Sequence, residues 1–253
     1  MTGNKFKNLV DIMRKLREEC PWDKDQTNDS IKAATLEEAY EAVEAIDKKN
    51  YNELKSELGD LLLHIVFHSA IAEDNNHFNI NDVIDSISEK LIRRHPHVFS
   101  DTIVNNNEDI MRNWEFIKLK EGRDSVLEGV PKALSSLYRA YRIQEKVAKV
   151  GFDWSNKDDV WAKVKEELNE LREAEASGDE NKIEEEMGDL FFALTNYSRF
   201  IKVNPENALR RTNEKFIKRF QYVEKKIKET GRDLSDSNLE EMDIYWEEAK
   251  QFD

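Results

Sequence analysis

The sequence predicts an all-α protein built as a tandem repeat of two helical-bundle modules, each of the four-helix type. Three observations carry that prediction. Only 4 Pro and 8 Gly interrupt 253 residues, too little punctuation for a many-stranded β fold. Apolar residues recur at helical spacing through stretches such as Ile80–Ile92 and Leu209–Ile227. The chain also repeats itself: TLEEAYEAVEAI (35–46) resembles KVKEELNELREA (163–174), and KSELGDLLLHIVF (55–67) resembles EEEMGDLFFALTN (184–196). The match continues in SEKLIRRH (88–95) against NEKFIKRF (213–220), and in EDIMRNWEFIK (108–118) against EEMDIYWEEAK (240–250). The modules are expected at residues 1–121 and 122–253, with Gly122 and the Gly129–Pro131 turn marking the boundary.

Taken in order, the N-terminal MTGNKFKNLVDIMRKLREE is amphipathic and charged to its end, without the apolar core of a signal peptide. The single Cys20 rules out an internal disulfide, and together these features lead to the expectation of a cytoplasmic protein. Ser30 and Asp82 are expected helix N-caps, and Gly178 and Gly231 expected stops. His95–Pro96–His97 should end a helix, because proline disfavours helical backbone in the residue before it. The longest apolar stretch, Leu61–Phe67, is broken by His64 and too short to span a bilayer. With 53 acidic and 39 basic residues the net charge is −14, which argues against nucleic-acid and membrane partners. RRTNEKFIKRF (210–220) is basic but matches no reader motif.

Each module carries E-x-x-E, fifteen residues, then E-x-x-D: Glu38, Glu41, Glu57 and Asp60, and again Glu167, Glu170, Glu186 and Asp189. Residues three apart share a helix face, and turn formers lie between the pairs (Lys49–Asn50; Ser177–Gly178–Asp179). Two antiparallel helices would bring all four carboxylates to one spot. A solvated acidic face is the plain alternative, but the same spacing twice argues against it. The second pair in each module opens an apolar run, LLLHIVF or LFFAL, so these helices are expected to be buried, where unpaired carboxylates are costly. Gly59 and Gly188, mid-helix, each cost about 1 kcal/mol against Ala, a cost that close helix approach would offset. Hard oxygen donors without Cys or His favour Mg²⁺ or Mn²⁺ over zinc, and such a site normally meets a phosphate-rich substrate. Lys215 and Arg219, four apart on one helix face, and their counterparts Lys90 and Arg94, are candidate phosphate contacts. Asp60, His64 and His68 have the spacing of a zinc site, although ordinary packed histidines fit better. No G-x-x-x-x-G-K-[ST] is present.

Over essentially its whole length, the chain resembles the MazG-type nucleoside triphosphate pyrophosphohydrolases in their two-module form. The resemblance lies in CPWDKDQT (20–27), LEEAYEAVEAI (36–46), ELGDLLLHIVFHSAIAE (57–73), SEKLIRRHPHVF (88–99), RAYRIQEKVAKVGFDW (139–154), KVKEELNEL (163–171), EEMGDLFFALTNYSRF (185–200) and NEKFIKRF (213–220). It implies an all-α homodimer that cleaves nucleoside triphosphates to the monophosphate and pyrophosphate with Mg²⁺. By motif position, Glu167, Glu170, Glu186 and Asp189 would hold the metal and serve catalysis. Lys163, Lys182, Lys215 and Arg219 would contact the triphosphate, and Trp246 would lie against the nucleotide. Glu38, Glu41, Glu57 and Asp60 would form a second metal site.

The halves differ. Lys163 aligns with Ala34, Lys182 with Glu53, and Asn196 and Arg199 with Phe67 and Ala70. The second module is therefore expected to carry most of the catalysis, the first being a weaker site or a dimerisation platform. Asn28, where the family usually has His, and Lys32–Ala33–Ala34, in place of a more apolar entry, are departures in the first half. The alternative is a non-catalytic helical sensor or scaffold that binds nucleotide or metal; a hydrolase narrow for dUTP or dCTP is a further variant.

Overall fold

In the computed structural model, residues 2–100, 110, 114, 117, 121–122 and 124–252 are described. The expected module boundary at 121/122 falls beside a stretch that lies mostly outside them. The chain divides into two compact units, Met1–Val104 and Asn105–Asp253, and no strand occurs among the described residues. No helix among them is long and apolar enough to cross a membrane.

The first unit contains α1 (Thr2–Glu19), α2 (Pro21–Asp25), α3 (Lys32–Asp47), α4 (Tyr51–Asp74), α5 (Ile80–Arg94) and α6 (Pro96–Phe99). Its core is Val10 and Met13 of α1, Ile31, the C-terminal half of α4 (Val66, Phe67, Ala70, Ile71) and Ile80. Each fully buried aliphatic side chain of this kind contributes roughly 1.5–3 kcal/mol. Arg14 and Arg17 of α1 reach Glu73 and Asp74 at the end of α4, at 3.0 and 2.6 Å. Asn50 caps α4 by accepting from the Glu53 amide, after Lys49 turns the chain at φ 54°. Asp82 is not an N-cap: Asn79 is, and Asp82 reaches back from the first turn to complete a capping box. Ser30 is not one either. Its hydroxyl donates to the Gln26 side chain and the Thr27 carbonyl, and α3 begins one residue later, after Ile31. Helix α5 ends at His95, with Pro96 opening α6.

The second unit contains α7 (Ser136–Ala148), α8 (Lys157–Ser177), α9 (Glu180–Phe200), α10 (Pro205–Glu229) and α11 (Leu239–Ala249), with 3-10 turns at Leu234–Asp236 and Lys250–Phe252. Helices α8 and α9 form a long hairpin; α7 packs on α9 and α10, and α10 on α11. Gly178 closes α8 in the left-handed region at φ 71°, and Asp179 caps α9 through the amides of Asn181 and Lys182. Gly231, at φ 78°, follows the end of α10. Buried Lys146 of α7 donates to the carbonyls of Val126 and Glu128 at 2.9 Å, tying the preceding segment to this unit.

Two expectations are corrected. The run that opens with Glu57 and Asp60 is not buried along its length: Leu58, Leu62 and Ile65 face outward, and burial begins at Val66. The same three repeat positions in α9, Met187, Phe191 and Leu194, are also exposed. The reason is geometric. A helix apolar all round needs cover on every side, and the helices packed on α4 (α1, α3, α5) and on α9 (α7, α8) leave these positions uncovered. Gly59 and Gly188 do not mark a close helix approach, because a Cβ on either would meet nothing within 4 Å.

Candidate functional site

In α8 the buried positions are Val160, Val164, Glu167, Leu171 and Ala174, one stripe at i, i+4, i+7, i+11 and i+14. A carboxylate therefore stands inside the apolar face, where Glu167 is only 6% exposed. Such a charge is costly unless paired. Lys163, one turn before it, supplies the pair: its ammonium lies 2.7 Å from Glu167 and 2.6 Å from Glu166. These two hydrogen bonds hold the Lys163 pKa well above the ordinary lysine range. From α9, half-buried Glu186 and exposed Asp189 face the same place, and one oxygen each of Glu167, Glu186 and Asp189 lie within 4.8 Å of one another.

Glu170, expected in this set, stands exposed and outside the three-oxygen group. Desolvation, then its hydrogen bond to Glu167, raises its pKa. Desolvation and the charges of Asp189 and Glu167 raise that of Glu186. Like charges this close favour the protonated form of Glu186 unless a counter-charge is present. An all-oxygen set fits a hard divalent ion, and an ion there would relieve the repulsion that Lys163 balances on one side alone.

Lys182 is exposed on α9, and no ion pair is recorded for it among the described residues. Lys215 and Arg219 lie one turn apart on α10, and Trp246 lies on α11. The Arg219 guanidinium lies 5.5 Å from the Trp246 ring centre, and Phe216 packs on that ring at 5.0 Å. Helix α10, which carries the cations, packs on α7 and on α11, which carries the tryptophan.

The first unit repeats the acids with other neighbours. Glu38, Glu41 and Glu57 bring oxygens within 4.8 Å, with Asp60 outside the group. Burial and the charges of Asp60 and Glu41 raise the Glu38 pKa; burial and the charges of Glu41 and Asp60 raise that of Glu57. Ala34 stands where the second unit has Lys163, and the group facing Glu38 is His64, with Nε2 4.0 Å from it. His64 and His68 do not converge on Asp60 as a zinc triad. The Thr35 hydroxyl sits between them, 3.1 Å from His64 Nδ1 and 2.9 Å from His68 Nε2, while Asn28 Oδ1 takes His68 Nδ1 at 2.7 Å. Burial, with the charge of His64, lowers the His68 pKa.

One arrangement in the second unit was only partly legible in sequence. Arg199, singled out by its absence from the first half, clamps Asp153 of the GFDW segment and also donates to Asn196. Nothing in the spacing pointed to Asp153 as the partner, because the two lie 46 residues apart.

Two stretches of the chain, residues 26–99 and 156–224, match the MazG nucleotide pyrophosphohydrolase domain. The chain belongs to the MazG nucleotide pyrophosphohydrolase domain family. Both acidic clusters fall within the two MazG matches. A Thermotoga maritima protein named nucleoside triphosphate pyrophosphohydrolase/pyrophosphatase MazG is 46% identical over 98% of this chain and 96% of its own length. An Escherichia coli K12 nucleoside triphosphate pyrophosphohydrolase is 41% identical over 98% of each. Bacillus subtilis YabN is 46% identical over 98% of this chain, which spans 52% of that longer protein. The two-module MazG reading of the sequence and its all-α tandem fold therefore hold.

Proposed function

We propose that the protein hydrolyses nucleoside and deoxynucleoside triphosphates to the monophosphate and pyrophosphate, with Mg²⁺ or Mn²⁺, across several bases, and so acts on the cytoplasmic nucleotide pool. The observation that carries this reading is the carboxylate trio Glu167, Glu186 and Asp189, with Lys163 bound to its buried member, in a chain of this family. Glu167, Glu186 and Asp189 would hold the ion, with Glu170 beside them. A bound divalent ion supplies charge neutralisation at the phosphates and makes a bound water more acidic. Water adds across one phosphoanhydride bond, and pyrophosphate leaves. Lys163 and Lys182, on the acidic hairpin, would bind triphosphate oxygens, with Lys215 and Arg219 as further contacts and Trp246 against the nucleotide.

A homodimer belongs to the same proposal. The exposed stripe Met187, Phe191 and Leu194 recurs at the same repeat positions as Leu58, Leu62 and Ile65, and a second copy of the chain would cover it. The first module, without a lysine beside Glu38, is proposed as the weaker site or the assembly platform.

The test is release of pyrophosphate and monophosphate from a panel of NTPs and dNTPs, with Mg²⁺ and with EDTA. Metal-dependent release from several bases is expected. Nucleotide binding without turnover would overturn the hydrolase reading in favour of a sensor or scaffold.

A further inference from the structure

Asn196 stands on α9 seven residues after Asp189, two turns further along the same helix face, so about 10 Å beyond the acidic cluster. Its side chain is not free to rotate by exchange of its two ends. Arg199 donates to Asn196 Oδ1 from Nε at 3.2 Å and from Nη2 at 2.9 Å. A guanidinium can only donate, so the amide must present its oxygen to Arg199 and turn its NH₂ away. Arg199 is itself held: Nη1 donates to Asp153 Oδ2 at 2.8 Å, Nη2 bonds Oδ1 of the same carboxylate, and the guanidinium lies 4.7 Å from the Phe200 ring centre. No partner among the described residues accepts from Asn196 Nδ2. The two Nδ2 hydrogens of this half-buried residue are thus turned away from Arg199, which is itself fixed on Asp153.

The first unit shows what this position looks like without that device. Phe67 occupies the equivalent place, 4% exposed within the core, beside Trp22 and under Arg17. The Arg199 position is Ala70, also buried. The first module has closed the place where the second keeps an amide.

We infer that Asn196 is a specificity-determining residue that donates from Nδ2 to an acceptor on the nucleoside part of the substrate, and that Arg199 positions it. This rests on the proposed triphosphate hydrolysis: a triphosphate held at Glu167, Glu186 and Asp189 extends its sugar and base roughly the distance that separates the two places on α9.

The test is Asn196→Asp. Aspartate keeps an oxygen for Arg199 and so keeps the clamp, but replaces the outward NH₂ by a carboxylate oxygen that cannot donate. KM is expected to rise about tenfold or more, the worth of one lost hydrogen bond, with kcat changed less than about twofold. Mn²⁺ binding by the metal site, followed with no nucleotide present, should stay as in the parent. Asn196→Ala should raise KM similarly. Arg199→Met should raise it by releasing the amide, and Arg199→Lys should recover part of the loss. An effect that varies with base assigns the contact to the base; one that separates NTP from dNTP assigns it to the sugar. A parent that hydrolyses the panel beside an Asn196→Asp variant with unchanged KM for every substrate overturns this inference alone. A parent that turns over nothing overturns the hydrolase reading, and this inference with it.

Discussion

At the scale of single residues, the decisive contrast is between Glu167 and Glu38. Both lie on the inner stripe of a hairpin helix, four positions after either Lys163 or Ala34. The lysine makes the buried Glu167 charge tolerable and leaves an ammonium beside the group where phosphate oxygens would arrive. His64 can do neither as well: it stands 4.0 Å from Glu38, and Thr35 holds its other nitrogen. Steady-state assays should therefore show Glu167→Ala or Asp189→Ala lowering triphosphate hydrolysis by at least about 10²–10³-fold, on the scale of losing an electrostatic stabiliser of the transition state. Glu38→Ala should retain most of the activity. Equal losses from both modules would overturn the proposed division of labour.

At the scale of elements, the hairpins α3–α4 and α8–α9 gather like charge at one place. Burial and neighbouring carboxylates raise the pKa values of Glu38, Glu57, Glu170 and Glu186. A raised carboxyl pKa means that the folded chain binds its proton more tightly than the unfolded chain does. Its contribution to stability is complete below the unfolded value and is lost as pH rises through the folded one. In EDTA, the melting temperature should accordingly lose these contributions as pH climbs out of the ordinary carboxylate range. Mg²⁺ should restore more at pH 8 than at pH 5, because the ion competes with those protons. Thermal melts across that range check both statements, and a Mg²⁺ effect independent of pH would argue against metal at these carboxylates.

Across the whole molecule, the unresolved demand is cover for exposed apolar side chains. Met187, Phe191 and Leu194 make one stripe at i, i+4 and i+7, matched by Leu58, Leu62 and Ile65. Spread across two units, this is more organised than the scattered apolar residues any surface carries. Light scattering should give the mass of a dimer for the parent. Phe191→Asp should shift it toward the monomer, since a carboxylate in a buried interface loses its water without gaining a partner. A dimer unaffected by Phe191→Asp would place the interface elsewhere.

The all-α class, the two modules and the grouping of acids on paired helices could be read from the chain alone. Helical period, turn residues and repeated spacing are local properties; that Lys163, expected at the triphosphate, pairs with Glu167 came only with the burial of that carboxylate. Burial was not legible in the same way. An apolar run such as LLLHIVF says that cover is needed, not where the neighbouring helix stops supplying it, and so Leu58, Leu62 and Ile65 were expected inside. Which acids meet also depended on helix phase across the hairpin, which leaves Glu170 and Asp60 outside their groups. The sequence could flag Asn196 and Arg199 as differences between halves. Only the tertiary structure decided that Arg199 reaches back to Asp153 and thereby turns the Asn196 amide, because a contact between distant residues has no signature in local spacing.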